Sequence, residues 1–312
     1  MTHSVTGELN WPAVTVVVPT KDRPYLLRRA VQTVVEQDYP GEVHCLIVFD
    51  GTTPEAPDVT LPVGRTLRTL VNTRTPGLAG NRNTGYLAAQ GEYVAACDDD
   101  DEWFPDKLRA QIELLSCRPD ASGAGTGSLF HFEGKDTPRP ADLPELTFAE
   151  LLERRHPEVH ASSFVFRRRR LLDEIGLVNE KLPAGYGEDF ELLLRATKVG
   201  PFVCVQRPLV RAHQHRSSFF AERWHNIDDA LSYLIDLVPE FADAPDGLAR
   251  MEGQRAFAKA ALGERREATW LAVRALRRSR SSRQAWAALL IAAHLVSAER
   301  VLAMARRAGR GI

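Results

Sequence analysis

Tyr93-Val94-Ala95-Ala96-Cys97-Asp98-Asp99-Asp100-Asp101-Glu102-Trp103-Phe104-Pro105 is the stretch that decides the fold. Its apolar half reads as a short buried strand, and Pro105 sits where a helix would begin. The four carboxylates therefore fall at the carboxyl end of a strand, the edge at which open α/β sheets hold their ligands. Adjacent carboxylates repel one another unless something cationic neutralises them. A hard divalent ion with oxygen ligands does this and keeps room for substrate phosphates. The competing reading is a solvated acidic turn, and the surrounding sequence weighs against it.

Upstream, Val14 to Val18 is an apolar, β-branched run ended by Pro19-Thr20, a buried strand. Tyr25 to Gln37 carries Leu26, Leu27, Ala30, Val31, Val34 and Val35 at helical spacing, with Pro24 at the first turn. Val43 to Phe49 is a second strand, stopped by Asp50-Gly51. After a Pro/Thr-rich loop comes a weaker strand near Leu67 to Val71, then Gly77 to Asn83 and a helix near Thr84 to Ala89. Downstream of Pro105 a helix runs to about Ser116. The Gly-rich stretch Gly123 to Gly127 leads into the strand-like Ser128 to Phe132. Ala161 to Phe166 and Phe202 to Val205 read as strands, and Gly187 to Lys198 as a helix. The alternation predicts an α/β fold with a mostly parallel central sheet flanked by helices.

From Glu222 onward the pattern is helical, with segments near 224–237, 250–262, 264–278, 283–295 and 297–308. This divides the chain into an α/β domain over 1–220 and an all-helical extension over 221–312. Charge follows a similar division. Residues 250–312 carry 14 Lys+Arg against 4 Asp+Glu, a balance of +10, and the remainder carries 26 against 37, a balance of −11. Basic amphipathic helices lie on anionic membrane surfaces; the alternative is a helical appendage packed on itself or on a second subunit. The extension is rich in Ala and poor in large aromatics, which favours the second reading. There is no apolar run of about 18 residues, so no transmembrane helix is expected. No secretory leader is visible at Met1-Thr2-His3-Ser4. Cys45, Cys97, Cys117 and Cys204 are scattered, with no metal-ligand spacing, which suits reduced thiols in a cytoplasmic protein.

Three strand ends carry chemistry-bearing groups: Pro19-Thr20-Lys21-Asp22-Arg23, Asp50-Gly51 and the acidic run. In a parallel sheet these share one edge and can meet on a single ligand. Asp50 can accept from a base N–H or a ribose hydroxyl, while Lys21, Arg23 and Arg82 can counter phosphate charge. Glu188-Asp189 opens a helix, where carboxylates are favoured by the dipole and serve either as caps or as a general base. His213 and His215 follow the last strand and are candidate metal ligands.

Taken in order, Val16-Val17-Val18-Pro19-Thr20, Phe49-Asp50-Gly51, Gly77 with Arg82-Asn83-x-Gly85, Ala89-x-Gly91-Glu92-Tyr93, the four-Asp run with Trp103 and Pro105, and Glu188-Asp189 with Arg195 form a set. Over about residues 12–220 this set resembles the family 2 glycosyltransferases, which have the GT-A fold. The resemblance implies inverting transfer from a nucleotide-sugar, a UDP-sugar first among candidates, with Mg²⁺ or Mn²⁺. It implies a saccharide or lipid-linked acceptor, a place in cell-envelope polysaccharide synthesis, and no nucleic-acid partner. Among residues, it implies that Asp50 contacts the base, although Phe49 stands where the family usually has a second Asp. Pro19, Thr20, Lys21, Arg23, Arg82, Asn83, Asp98 and Asp99 would line the donor. Asp98 to Asp100 would be the DXD motif, with Asp100 the direct metal ligand. Asp189 would be the base with Glu188 in support, and a His after the last strand would contact metal or phosphate. Such an enzyme would be cytoplasmic, peripheral to the inner face of the membrane if the basic helices bind it, or a homodimer through them. Two other classes fit the same sheet. A sugar nucleotidyltransferase needs a Gly-rich phosphate loop after the first strand, and residues 19–23 contain no Gly. An inactive scaffold would not need intact Asp98 to Asp101 and Glu188-Asp189.

Overall fold

The computed structural model describes residues 11–214 and 223–307. The chain runs through β1 (Val14–Thr20), α1 (Pro24–Val35), β2 (Val43–Phe49), β3 (Arg65–Val71), α2 (Leu78–Ala88), β4 (Tyr93–Ala96), β5 (Glu102–Trp103) and α3 (Lys107–Ser116). It continues through β6 (Gly123–Phe132), β7 (Lys135–Arg139), β8 (Glu145–Leu146), α4 (Phe148–Glu153), β9 (Val165–Arg167), α5 (Arg168–Arg170), α6 (Glu188–Val199) and β10 (Phe202–His213). Five helices follow: α7 (Trp224–Leu237), α8 (Pro245–Ala261), α9 (Arg265–Arg278), α10 (Arg283–Ala292) and α11 (Ala298–Arg307).

One sheet joins all ten strands, with the path β3-β2-β1-β4-β9-β6-β10-β5 and β7 and β8 attached at its side. β1 to β4 are mutually parallel, and β10 is parallel to β6. The antiparallel members β5, β7, β8 and β9 are short. The sheet separates two cores through the period-2 alternation of its strands. Val14, Val16 and Val18 face α1 and α3 on one side, while Val17, Val48, Val94 and Ala96 face the α6 side.

Several elements depart from the sequence pattern. β5 intervenes directly after the acidic run, and α3 starts at Lys107 rather than at Pro105. Its free N-terminal donor is met from α1: the Gln37 side chain accepts the Leu108 N–H at 3.0 Å. Helix α2 begins at Leu78, earlier than its apolar spacing suggested, because Asn81, Arg82 and Asn83 are buried and hydrogen-bonded rather than solvated. The Gly-rich stretch is the first half of β6, and β10 continues through irregular register at Pro208 to His213. Only the end of the expected 161–166 strand pairs as β9; Ala161–Ser163 is a 3₁₀ turn.

The first helices of the extension share a core with the α/β domain. Ile227, Leu231 and Leu234 of α7 and Leu248 and Met251 of α8 join the core that contains Val17 and Phe166. A separate core, largely Ala with Phe257, Leu271 and Ile291, holds α8, α9 and α10 together. Gly247 sets the docking of α8: a Cβ there would lie 1.7 Å from the Leu152 carbonyl oxygen, and its N–H donates to Glu153 Oε2 at 3.2 Å.

Candidate active site

The register Thr20↔Phe49 and Val17↔Ala96 brings the carboxyl ends of β2, β1 and β4 side by side. Asp50, just past β2, is buried, and its carboxylate accepts from Asn72 Nδ2 at 2.9 Å and from the Gly77 N–H at 3.0 Å. Gly77 donates from a left-handed conformation, φ 116°, that favours glycine. The exposed Lys21 reaches the same carboxylate at 3.6 Å. Pro19 lies inside β1. Thr20 Oγ1 donates to Asp99 Oδ2 at 2.7 Å, and Arg23 spans Asp99 at 3.2 Å and Asp100 at 3.0 Å.

The acidic run is thus divided among cations. Arg82, almost fully buried, forks between Asp98 and Glu188. Its neighbour Asn83, expected at the donor, is fully buried and spends its amide on the Val178 backbone, 2.9 Å each way. At Asp100, burial first, then repulsion from Asp101, Asp98 and Asp99, push the carboxyl up to about 7 against the pull of Arg23. Asp101 is buried and accepts from Ser162 Oγ at 2.5 Å and the His213 N–H at 3.0 Å, with His160 Nδ1 at 3.2 Å. Burial opposes the charge on His160, but Asp101, Asp98 and Asp189 outweigh it and raise the imidazole to about 9.

At the start of α6, Glu188 lies against Arg82 and Asp189 beside it. Burial, aided by Asp189 and Asp98, lifts Glu188 to about 7 although Arg82 opposes. Asp189 differs. Burial would raise it, yet Arg155, His160, the Phe190 N–H and Arg82 together hold it below the usual carboxylate range. The Phe190 N–H meets its Oδ1 at 2.8 Å, and Arg155 Nη2 meets it at 3.4 Å. It is therefore ionised at neutral pH, with about a quarter of its side chain open. Arg195 holds Glu191 at 2.7 Å and the Leu177 carbonyl at 2.8 Å, so it braces the loop leading to α6.

The donor atoms of Asp98, Asp101 and His160 lie within 4.8 Å of one another, the acid–imidazole group that could hold a metal among the described residues. His213 is not in it. Its ring bonds Glu102 at 2.6 Å and packs on His131 at 4.9 Å, and only its backbone N–H reaches the acidic run. His215 lies outside the described residues. The pattern did not expose His160, Arg155 or Asn72. Each sits in an irregular loop with no periodicity, and the one available signal was a His four residues ahead of the apolar Phe164-Val165-Phe166.

The model of glycosyl transferase family 2 matches residues 15–176, the span that builds β1 to β9 and the acidic run. The chain belongs to this family. A Bacillus subtilis glycosyltransferase named for teichuronic acid biosynthesis is 30% identical over 149 residues, covering 46% of this chain and 59% of that protein. The succinoglycan biosynthesis protein ExoO of Rhizobium meliloti is 29% identical over 205 residues, covering 61% and 57%. The chain thus spans less than two thirds of the length of these curated relatives. A mannosyltransferase of Pyrobaculum calidifontis, solved with GDP-Man and Mn²⁺, superposes with a TM-score of 0.58 at 20% identity, over 92% of this chain and 87% of that one. At that identity the likeness is one of fold: this family 2 member has the GT-A architecture.

Proposed function

We propose that this family 2 glycosyltransferase moves a sugar from a nucleotide-sugar to an acceptor hydroxyl by a single, inverting displacement. One observation carries the reading. An ionised, partly open carboxylate, Asp189, stands at a helix start next to a strand-end cluster of acid and buried Arg. Asp50, Lys21 and Thr20 would take the nucleoside and Arg23 the diphosphate, while the buried Arg82 stays with Asp98 and Glu188. Asp189 would take the proton from the attacking hydroxyl, with Glu188 kept in place by Arg82. One base and one displacement leave the anomeric carbon inverted.

The residues fit a hard divalent ion. Asp98, Asp101 and His160 offer clustered oxygen and nitrogen donors, Asp100 stands beside them, and the mannosyltransferase neighbour was solved with Mn²⁺. Mg²⁺ or Mn²⁺ held there would stabilise charge on the departing diphosphate as a Lewis acid. His213 would brace the run through Asp101 and Glu102. A thermal-shift screen of UDP-, GDP-, dTDP- and CDP-sugars with Mn²⁺ tests the donor reading. A metal-dependent rise with one nucleotide supports it, and no rise with any contradicts it.

The helical extension after about residue 220 would dock the enzyme on an anionic membrane surface. Among the described residues no helix is long and apolar enough to cross a membrane. However, Trp270 on α9 is 57% exposed and Trp286 on α10 is 53% exposed, with Val273 and Leu290 beside them in helical spacing. Arg266, Arg277, Arg280 and Arg283 flank these rings and have no ion pair among the described residues. Indole rings with unpaired cations suit the lipid headgroup layer. The full chain should float with vesicles containing phosphatidylglycerol at low salt and not with phosphatidylcholine alone. Replacing Trp270 and Trp286 by Ala should weaken this flotation. Equal recovery with both vesicles, or none with either, contradicts the reading.

A further inference from the structure

Past the chain of contacts from Asp98 through Arg82 to Glu188, two arginines lie at the Phe190 ring, next to Asp189 in the sequence. Arg155 comes from the loop after α4, and its guanidinium lies 5.8 Å from the centroid of the Phe190 ring. Arg250 comes from α8, and its guanidinium lies 5.7 Å from the same centroid. The docking of α8 fixes this approach, because Gly247 packs on the Leu152 carbonyl one turn before Arg250. The helical extension therefore delivers a cation to the edge of the candidate active site.

That cation is not matched. Arg155 has Asp189 at 3.4 Å, a single carboxylate at long range, and a hydrogen bond with Tyr186. Arg250 has no ion pair among the described residues, and its Nε and Nη2 are shielded from water with no hydrogen-bond partner. Burial, then repulsion from Arg155, pull the Arg250 guanidinium down to about 10, with Tyr186 opposing. Elsewhere in the site cations and carboxylates alternate, as in Arg23 with Asp99 and Asp100 and Arg82 with Asp98 and Glu188. Two neighbouring guanidiniums with a single carboxylate between them, held by Arg155 alone, are unfavourable unless an anion joins them. The planar fork of Arg matches carboxylate and phosphate oxygens two at a time.

We infer that Arg155 and Arg250 bind an oxyanion carried by the acceptor, a carboxylate or a phosphate, next to the hydroxyl that Asp189 deprotonates. This rests on the reading of Asp189 as the base. The enzyme would then act on an anionic acceptor, such as a uronate-containing saccharide or a sugar or lipid phosphate, and Arg250 would select for it. A neutral saccharide would leave Arg250 unmatched and would bind less well.

The test is a saturation-transfer NMR titration of the full chain at low salt. The probes are methyl β-D-glucuronide, α-D-glucose 1-phosphate and the neutral methyl β-D-glucoside. At least one anion should bind about tenfold more tightly than the glucoside. Preference for the glucuronide assigns a uronate, and preference for the phosphate assigns a phosphate. Arg250→Gln and Arg155→Gln should each weaken that anion by about tenfold, and Arg250→Lys should weaken it less. Arg169→Gln, on an exposed residue far along the surface, should change nothing. If Arg250→Gln does not fold, Arg155→Gln and Arg250→Lys carry the comparison. Glucoside binding equal to that of both anions, or unchanged anion binding in folded Arg250→Gln and Arg155→Gln, overturns the inference. Binding of UDP and GDP with Mn²⁺ to the same wild-type sample reports on the donor cradle, so failure of the donor reading would be seen separately.

Discussion

Replacing Lys107 with Met should stabilise the protein, and the gain should depend on pH. Lys107 opens α3 with its side chain fully buried. Its Nζ lies 3.7 Å from the centroid of the Trp103 ring and has no hydrogen-bond partner among the described residues. Burial lowers its pKa from 10.5 to about 7, and Cys97 gives only a small opposing effect. A shift of that size corresponds to roughly 5 kcal/mol between the two protonation states. The sign follows from proton counts. Between about pH 7 and 10.5 the unfolded chain holds a proton on Lys107 that the native protein lacks, so native stability rises with pH across that window. Below about pH 7 the full cost is present. Met fills a similar volume without charge, at the loss of a cation–π contact worth about 0.5–2 kcal/mol. Lys107→Met should therefore be more stable than wild type by about 3–4 kcal/mol at pH 6, with the difference vanishing or reversing near pH 10. Urea unfolding of both proteins at pH 6, 8 and 10 measures it. A variant no more stable than wild type at pH 6, or a difference that does not change with pH, would refute the reasoning.

Two other perturbations follow from the site and its supports. Asp100→Ala removes a carboxylate that burial and its acidic neighbours push up to about 7; the protein should stay folded and lose Mn²⁺-dependent nucleotide binding, and calorimetry showing the wild-type metal dependence would count against Asp100. Gly247→Ala places a Cβ against a backbone oxygen that cannot rotate away, so the variant should lose about 1–3 kcal/mol in urea unfolding; unchanged stability would mean that α8 is not held at this contact.

The sequence exposed those parts of the site that punctuate regular elements. Asp50 and the acidic run follow apolar β-branched stretches, so their place at a sheet edge could be read directly, as could Asp189 at the start of α6. Polar residues used inside the fold were harder to read. Asn83 looks like a site residue because Asn is costly to bury, yet it clamps Val178, and its neighbour Asn81 donates from Nδ2 to the Val48 carbonyl at 2.9 Å. Their burial also concealed the first turn of α2. His160, Arg155 and Arg250 were invisible for a different reason. His160 and Arg155 reach Asp101 and Asp189 from one loop after α4, Arg250 reaches Phe190 from a helix of the extension, and no local pattern encodes such an approach. Charge composition showed that the extension is basic but not that one of its arginines turns inward.

The central claim is inversion at the anomeric carbon with Asp189 as the base. Once the screen identifies the donor, proton NMR of the first-formed transfer or hydrolysis product gives its anomeric configuration directly. The account predicts the configuration opposite to that of the donor, and a rate lower by about 10²–10⁴-fold in Asp189→Asn with nucleotide still bound. A product that keeps the donor's configuration, or an Asp189→Asn variant that turns over like wild type, would contradict it.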